Sequence, residues 1–297
     1  MKLKDRSHSF RTLDSLTEFV RTHFETNDVK DHLWVFRGQA SSEWALESAL
    51  DRARIRLGLD PADLPLIEEG MVREFQRRAS NASSRIDLPR RSNVLEWLTL
   101  MRHYGAPTRL LDWTYTFSIA LYFAVEFATA ECAIWAVDAR WCNRRSRARI
   151  KEDKGSVVAA DPYFQQLGTF VRLFCREEST ALVYRVNSFV LNQRLAIQKG
   201  LFLCPGCISM TFEENFEGLQ EDDPSSASHL IKLCIDPGLH RDALRRLHYM
   251  NVSRETLFPG LDGLPQALNS RLVIPEVFIP RWRGHQDPRP YSGFKED

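Results

Sequence analysis

Apolar residues recur at helical spacing from the start of the chain. Phe10, Leu13, Leu16, Phe19, Val20 and Phe24 predict an amphipathic helix over residues 9–24. The run Leu33-Trp34-Val35-Phe36 is too short for a helix and rich in strand formers, so it predicts a buried strand ending at Arg37-Gly38. Residues 61–80 open on Pro61, a favoured first-turn residue, and carry Leu64, Ile67, Met71 and Phe75 on one face. Residues 94–104 repeat the pattern with Leu95, Leu98 and Met101 and stop at Gly105. A later helix bears Leu239, Ala243, Leu247 and Met250. Strand-like runs are predicted at 108–113, 132–138, 181–187, 195–203, 207–212, 230–236 and 271–279. Helices gather in the first half and strands in the second, which predicts an α+β fold rather than alternating βαβ units. No segment reads as an interdomain linker.

Composition narrows the class. The 297 residues are 43% hydrophobic and 27% charged, the balance of a globular chain. The net charge of +1 provides no global field, so a nucleic-acid or membrane partner would need a local patch. The longest apolar stretch, Ser118 to Val137, contains Glu126 and Glu131. Each carboxylate would cost roughly 2.5–3.5 kcal/mol near a bilayer centre, so this stretch predicts a core helix followed by a strand. MKLKDRSHSF does not read as a signal peptide. The six cysteines are therefore expected reduced, in a cytoplasmic protein.

Two charged segments are predicted as surface loops. Arg140, Arg144, Arg145, Arg147, Arg149 and Lys151 form a basic one, and Glu213, Glu214, Glu217, Glu221, Asp222 and Asp223 an acidic one. The basic segment has a second reading, a grip on a phosphate backbone with Trp141 stacking on a base. Cys204-Pro205-Gly206-Cys207 lacks a second pair at zinc spacing and reads as coincidence rather than a metal or redox site. The phosphate-binding loop, the dinucleotide-binding glycine pattern and the H-E-x-x-H zinc motif are all missing.

Four constellations can carry chemistry. In Phe36-Arg37-Gly38-Gln39, an arginine at the end of a buried strand needs an anionic partner. That partner is a phosphate or carboxylate ligand, with Gly38 allowing close approach and Gln39 adding an amide, or else an internal salt bridge. In His103-Tyr104-Gly105 to Thr114, Arg109 and Asp112 interrupt an apolar run. They either line a site, with the helix after about Phe117 offering free N–H groups to an anion, or pair with each other. Arg194 to Phe202 reads as a hairpin or bulge with Gln198, Lys199 and Gly200 inside it. Thr256 to Gly263 reads as a turn.

Together these segments resemble the FRG domain, a bacterial family named for the Phe-Arg-Gly of its first strand. Phe36-Arg37-Gly38-Gln39, His103-Tyr104-Gly105 to Thr114 with Ala120-Leu121-Tyr122-Phe123-Ala124, Arg194-x-x-x-Gln198-x-Gly200-x-Phe202, and Leu257-Phe258-Pro259 with Leu261-Asp262-Gly263 carry the likeness. It implies one domain over residues 1–297, with a core at about 15–270. The family is in turn distantly similar to ADP-ribosyltransferases. That implies a split β-sheet core with an N-terminal helical portion, NAD as co-substrate and no metal.

On this likeness, Arg37 anchors NAD, supported by Gly38, Gln39, His103, Tyr104 and Arg109. Thr114 and Tyr122 line the nicotinamide pocket, the tyrosine by stacking. Asp112 or Glu255 stabilises the cation or orients the acceptor, and Gln198 is a further candidate where the family's glutamate is missing from Asn192-Gln193-Arg194. The setting implied is bacterial anti-phage defence or a toxin–antitoxin system, with an inhibitory antitoxin partner and a nucleic-acid acceptor on Arg140–Lys151. Other outcomes are an NAD glycohydrolase or a non-catalytic nucleotide- or anion-binding module.

Overall fold

A computed structural model describes residues 7–25, 32–82, 88–154, 169–176, 180–188, 193–220 and 229–260, with Pro265, Ala267, Leu268 and Leu272. Seven strands follow the chain as β1 (Ser7–Phe10), β2 (Trp34–Gln39), β3 (Leu111–Thr114), β4 (Cys132–Asp138), β5 (Val183–Val186), β6 (Gly200–Pro205) and β7 (Leu230–Ile235). They form one mixed sheet in the order β1-β7-β4-β2-β3-β6-β5, parallel only between β1 and β7. Six residue pairs join β2 to β4, and four join β3 to β6. Between β2 and β3 a single pair, Phe36 with Thr114, holds the two parts of the sheet together.

Helices cover both faces, so the fold is mixed α/β with three layers. They are α1 (Leu13–Val20), α2 (Ala49–Leu57), α3 (Leu64–Ala82), α4 (Val94–His103), α5 (Phe117–Val125), α6 (Ala139–Lys154), α7 (Thr169–Val171), α8 (Gln193–Ile197), α9 (Phe212–Gln220), α10 (His240–Tyr249) and α11 (Arg254–Leu257). Alternation along β2 sends Val35 into one core, with Leu98 of α4, Trp141 of α6 and Phe216 of α9. Phe36 goes into the other, with Leu16 of α1, Ala120 of α5 and Leu247 of α10. The stretch from Ser118 to Val137 is α5 followed by β4, as its carboxylates required. Among the described residues no helix is long and apolar enough to cross a membrane. None of the six cysteines forms a disulfide.

Several elements differ from the expectation. Phe10 belongs to β1 beside β7, and α1 begins only after Thr12, whose Oγ1 accepts the Ser15 N–H at 3.2 Å. Residues 195–197 are helical, and the chain turns at Lys199 (φ 47°) before β6 begins. The run 207–212 is a turn up to residue 211 with Phe212 opening α9, and the Asn215 amide holds both backbone groups of Cys207 at 2.8 Å. Both charged segments, expected as loops, contain helices. Arg140 to Lys151 lies within α6, whose Cys142, Ser146 and Ile150 form a buried stripe four residues apart. Glu213, Glu214 and Glu217 lie on α9. Helices are thus common in the second half too. Residues 273–279, 261–263 and 221–223 lie outside the described residues.

Candidate functional site

Beyond the Phe36–Thr114 pair, β2 and β3 share no ladder pairing, and a cavity of about 960 Å³ opens over this seam. That is ample for a nucleotide-sized ligand. Arg37, one residue past the seam, lines it. Its Nη1 donates to the backbone oxygen of Asp112 at 2.8 Å, and its buried Nε has no partner. Among the described residues Arg37 has no ion pair. Burial pulls its pKa down to about 10, and Arg102 and Arg52 push the same way, against the attraction of Asp112. The site therefore carries a half-buried positive charge whose buried Nε lacks an acceptor.

Further cations surround it. Arg194 from α8 stands over the Phe258 ring at 4.4 Å, with Arg254 on the same ring at 3.7 Å. Burial first, then Arg254 and Arg102, hold the Arg194 guanidinium below its ordinary value, opposed by Asp112. Arg102 of α4 binds Asp112 Oδ2 through Nε at 2.8 Å. Arg52 of α2 donates to the Glu47 oxygen at 2.7 Å. His103 lines the cavity without a hydrogen bond among the described residues. Burial and then Arg194 lower its pKa. Trp44 and Phe127, exposed by 56% and 59%, add two aromatic surfaces to the cavity wall.

The chain is a carrier of a known module. Residues 32–132 match the model of the FRG domain. Over this third of the chain the protein is similar to the FRG family. No curated protein and no solved structure matches the chain. The FRG segment spans β2 through α5 and ends at the first residue of β4. It supplies Arg37, Arg102, His103 and Asp112. Arg194 and Gln198, which complete the cavity wall, lie outside it.

Of the residues named from sequence, the cavity gathers Arg37, Gly38, Gln39, His103, Asp112, Thr114 and Gln198. Several are occupied by the scaffold. A Cβ on Gly38 would meet the Ala120 oxygen at 2.0 Å and the Ala124 nitrogen at 2.6 Å, so its bareness makes room for α5 rather than for a ligand. The Gln39 amide is spent on the Ala45 oxygen at 3.0 Å and the Trp135 indole N–H at 2.8 Å. Thr114 Oγ1 donates to the Gln198 oxygen at 2.8 Å and accepts from the Thr116 N–H at 3.1 Å, and Gln198 Nε2 donates to the Leu257 oxygen at 3.1 Å.

Four residues are elsewhere. Arg109 is in the core, where Glu68 takes Nε at 2.7 Å and also Nη2, and the Phe174 oxygen takes Nη1 at 2.6 Å. Burial alone would lower its pKa, but Glu68 more than offsets that and holds it above its ordinary value. Arg109 thus neither binds in the cavity nor pairs with Asp112. Tyr122 is buried beneath α5, its hydroxyl donating to Glu126 at 2.8 Å, and Arg254 pairs with the same carboxylate at 3.1 Å. Tyr104 is exposed and does not line the cavity. Glu255 is exposed on the first turn of α11, also outside it. Nor does the first turn of α5 face the cavity, which touches that helix at Ala120 and Phe123.

Arg52, Arg102, Trp44 and Glu47 escaped the sequence reading. Arg102 directly precedes His103, and Ser48-x-x-Asp51 is a capping box that announces α2 and hence Arg52. The basic helix α6 is not a free cationic face. Arg145 Nε donates to the Leu219 oxygen at 3.3 Å and Arg147 Nη2 to the Tyr184 hydroxyl at 3.3 Å, and of the arginines and lysines described on α6 Arg144 and Lys151 are the exposed ones.

Proposed function

We infer that the cavity binds the diphosphate of a dinucleotide, NAD, and that the chain is an ADP-ribosyltransferase-like enzyme. The observation that carries this reading is Arg37, a half-buried guanidinium on the cavity wall with an unpartnered buried Nε and no ion pair among the described residues. Arg37 and Arg194 hold the phosphates, and Trp44 or Phe127 stacks on a base. The seam between two sheet parts, joined by one residue pair, supports kinship with the split-sheet transferases.

Chemistry then follows from charge. As the glycosidic C–N bond breaks, its electron pair leaves with nicotinamide and the ribose becomes an oxocarbenium ion. Asp112 is the carboxylate we assign to face that cation, held in place by Arg102. A nucleophile on the acceptor adds to the ribose carbon and loses its proton to solvent or base. On α6 a nucleic-acid acceptor would meet chiefly the exposed Arg144 and Lys151. A cytoplasmic toxin or defence effector, restrained by an inhibitory partner, remains the setting we propose for such NAD consumption.

Incubation with labelled NAD, alone and with RNA, DNA or cell proteins, tests the reading. Label on a macromolecule identifies the acceptor, and nicotinamide release without transfer makes the chain a glycohydrolase. Arg37→Ala is expected to cut turnover by at least about a hundredfold, the loss of one charged transition-state contact. If NAD neither binds nor reacts, a non-catalytic site for another anion replaces this proposal. Such a site is favoured by the commitment of Asp112 to Arg102.

A further inference from the structure

Away from the cavity, strand register brings three ionisable side chains to one edge. Trp34 of β2 lies opposite Asp138 at the end of β4, and Leu230 of β7 lies opposite Val137. His32, two residues before β2, and His229, immediately before β7, therefore converge on Asp138. Nδ1 of His32 is 2.8 Å from Asp138 Oδ2, and Nδ1 of His229 is 3.2 Å from the same oxygen. All three donor atoms lie within 4.8 Å of one another.

The cluster is built rather than incidental. Asp138 is fully buried, and its Oδ1 accepts the N–H groups of Leu33 (3.1 Å), Arg140 (3.0 Å) and Trp141 (3.2 Å). Those bonds orient the carboxylate and leave Oδ2 for the histidines, the role that outer-shell partners play around metal ligands. Each imidazole is stacked: His229 on Trp141 at 4.8 Å and 12°, His32 on Trp34 at 6.3 Å and 13°. His229 is 6% exposed, yet its Nδ1, aimed at the carboxylate, makes no hydrogen bond of adequate geometry. A buried nitrogen in that state calls for a partner.

We propose that His32 Nδ1, His229 Nδ1 and Asp138 Oδ2 bind a divalent transition ion of the Zn²⁺ class. Two imidazoles and one carboxylate suit a borderline ion and not the all-oxygen shell of Ca²⁺ or Mg²⁺. The His32 side chain, 32% exposed, leaves a route for entry and a fourth position for water. The ion ties the start of β2, the start of β7 and the end of β4 to the N-terminus of α6. It lies five residues along β2 from Arg37, on the far side of the strand's start, and braces the strand without taking part in the cavity.

The test uses the full chain, stripped with a chelator and titrated with Zn²⁺ and with Co²⁺. One equivalent is expected to bind, with a Co²⁺ visible spectrum free of the near-ultraviolet thiolate bands that a cysteine site would add. His32→Ala and His229→Asn should each weaken binding by at least about tenfold, whereas His248→Ala should not. Failure of the parent chain to bind either ion would overturn the proposal, as would thiolate bands or full affinity in both variants. In those cases Asp138 only bridges two histidines by hydrogen bonds. NAD turnover plays no part in this readout, so it stands or falls apart from the cavity.

Discussion

A guanidinium nitrogen buried without an acceptor keeps an affinity for anions, and Nε of Arg37 is in that position. His103, on the wall of the same cavity, gives the site a pH signature. Its pKa is depressed, by burial first and then by Arg194, so it is neutral at pH 7. Protonating it in the folded protein costs stability, a loss that begins as pH falls below the ordinary histidine value near 6.5. A bound anion favours the proton, so binding takes one up and tightens as pH falls. NAD suits this measurement, because its diphosphate keeps its charge there. Between pH 7.5 and 5.5 the Kd should fall by no more than about tenfold per unit, and His103→Gln should flatten the curve. A flat parent curve would remove His103 from the site.

Arg109 illustrates a different outcome for the same side chain. Buried and satisfied by Glu68, it is structural. Arg109→Met should therefore cost about 3–5 kcal/mol in urea unfolding, by stranding the Glu68 carboxylate. Adding Glu68→Met should recover most of that loss, since removing both charges leaves neither exposed to an apolar core. An additive double variant would mean the two residues act separately. Sequence placed both Arg37 and Arg109 in apolar runs, and nothing in those runs distinguishes them. The difference lies in Glu68, forty-one residues upstream on α3, and only the packing of α3 delivers it.

At the scale of elements, the close seating of α5 on β2 depends on Gly38. Gly38→Ala would press a methyl carbon into the helix backbone, which has no rotamer with which to yield. A loss of at least about 1–3 kcal/mol is expected from thermal or urea unfolding. An unchanged melting temperature would show that α5 can slide away. The strands β2, β4 and β7 and the helices α3 to α5 were legible because apolar periodicity is strong there. The helix α6 was hidden by its own stripe: Trp141, Cys142, Ser146 and Ile150 mix sizes and polarity, while arginine between them signals solvent. Arginine is also a good helix former, and its long stem reaches back to Leu219 and Tyr184. In the same way, β6 is preceded by a helical turn that an apolar run alone cannot distinguish from strand.

Across the whole molecule, the cavity belongs to both parts of the sheet. Arg37 comes from the β1-β7-β4-β2 part, and Asp112 from the β3-β6-β5 part, with Arg194 on the helix leading into β6. Hydrogen exchange with and without NAD should accordingly show added protection at 34–39 and at 193–205 together. Protection confined to one part would contradict a shared site. Sequence named the motifs from both parts but had no means of telling that Tyr122 and Glu255 would fall outside the cavity. Tyr122 bonds Glu126 one helical turn on, and Arg254, 128 residues from Glu126, closes over the same carboxylate; only that second contact is invisible in local spacing.

One stitch at Phe36–Thr114 leaves the width of the gap to be governed by side chains. The strut across it is the Arg37 hydrogen bond to the Asp112 carbonyl, and Arg102 of α4 clasps the Asp112 carboxylate beside it, both contacts made by cations. An incoming phosphate competes for those same cations, so whatever fills the gap also loosens the fastenings that set how wide it stands.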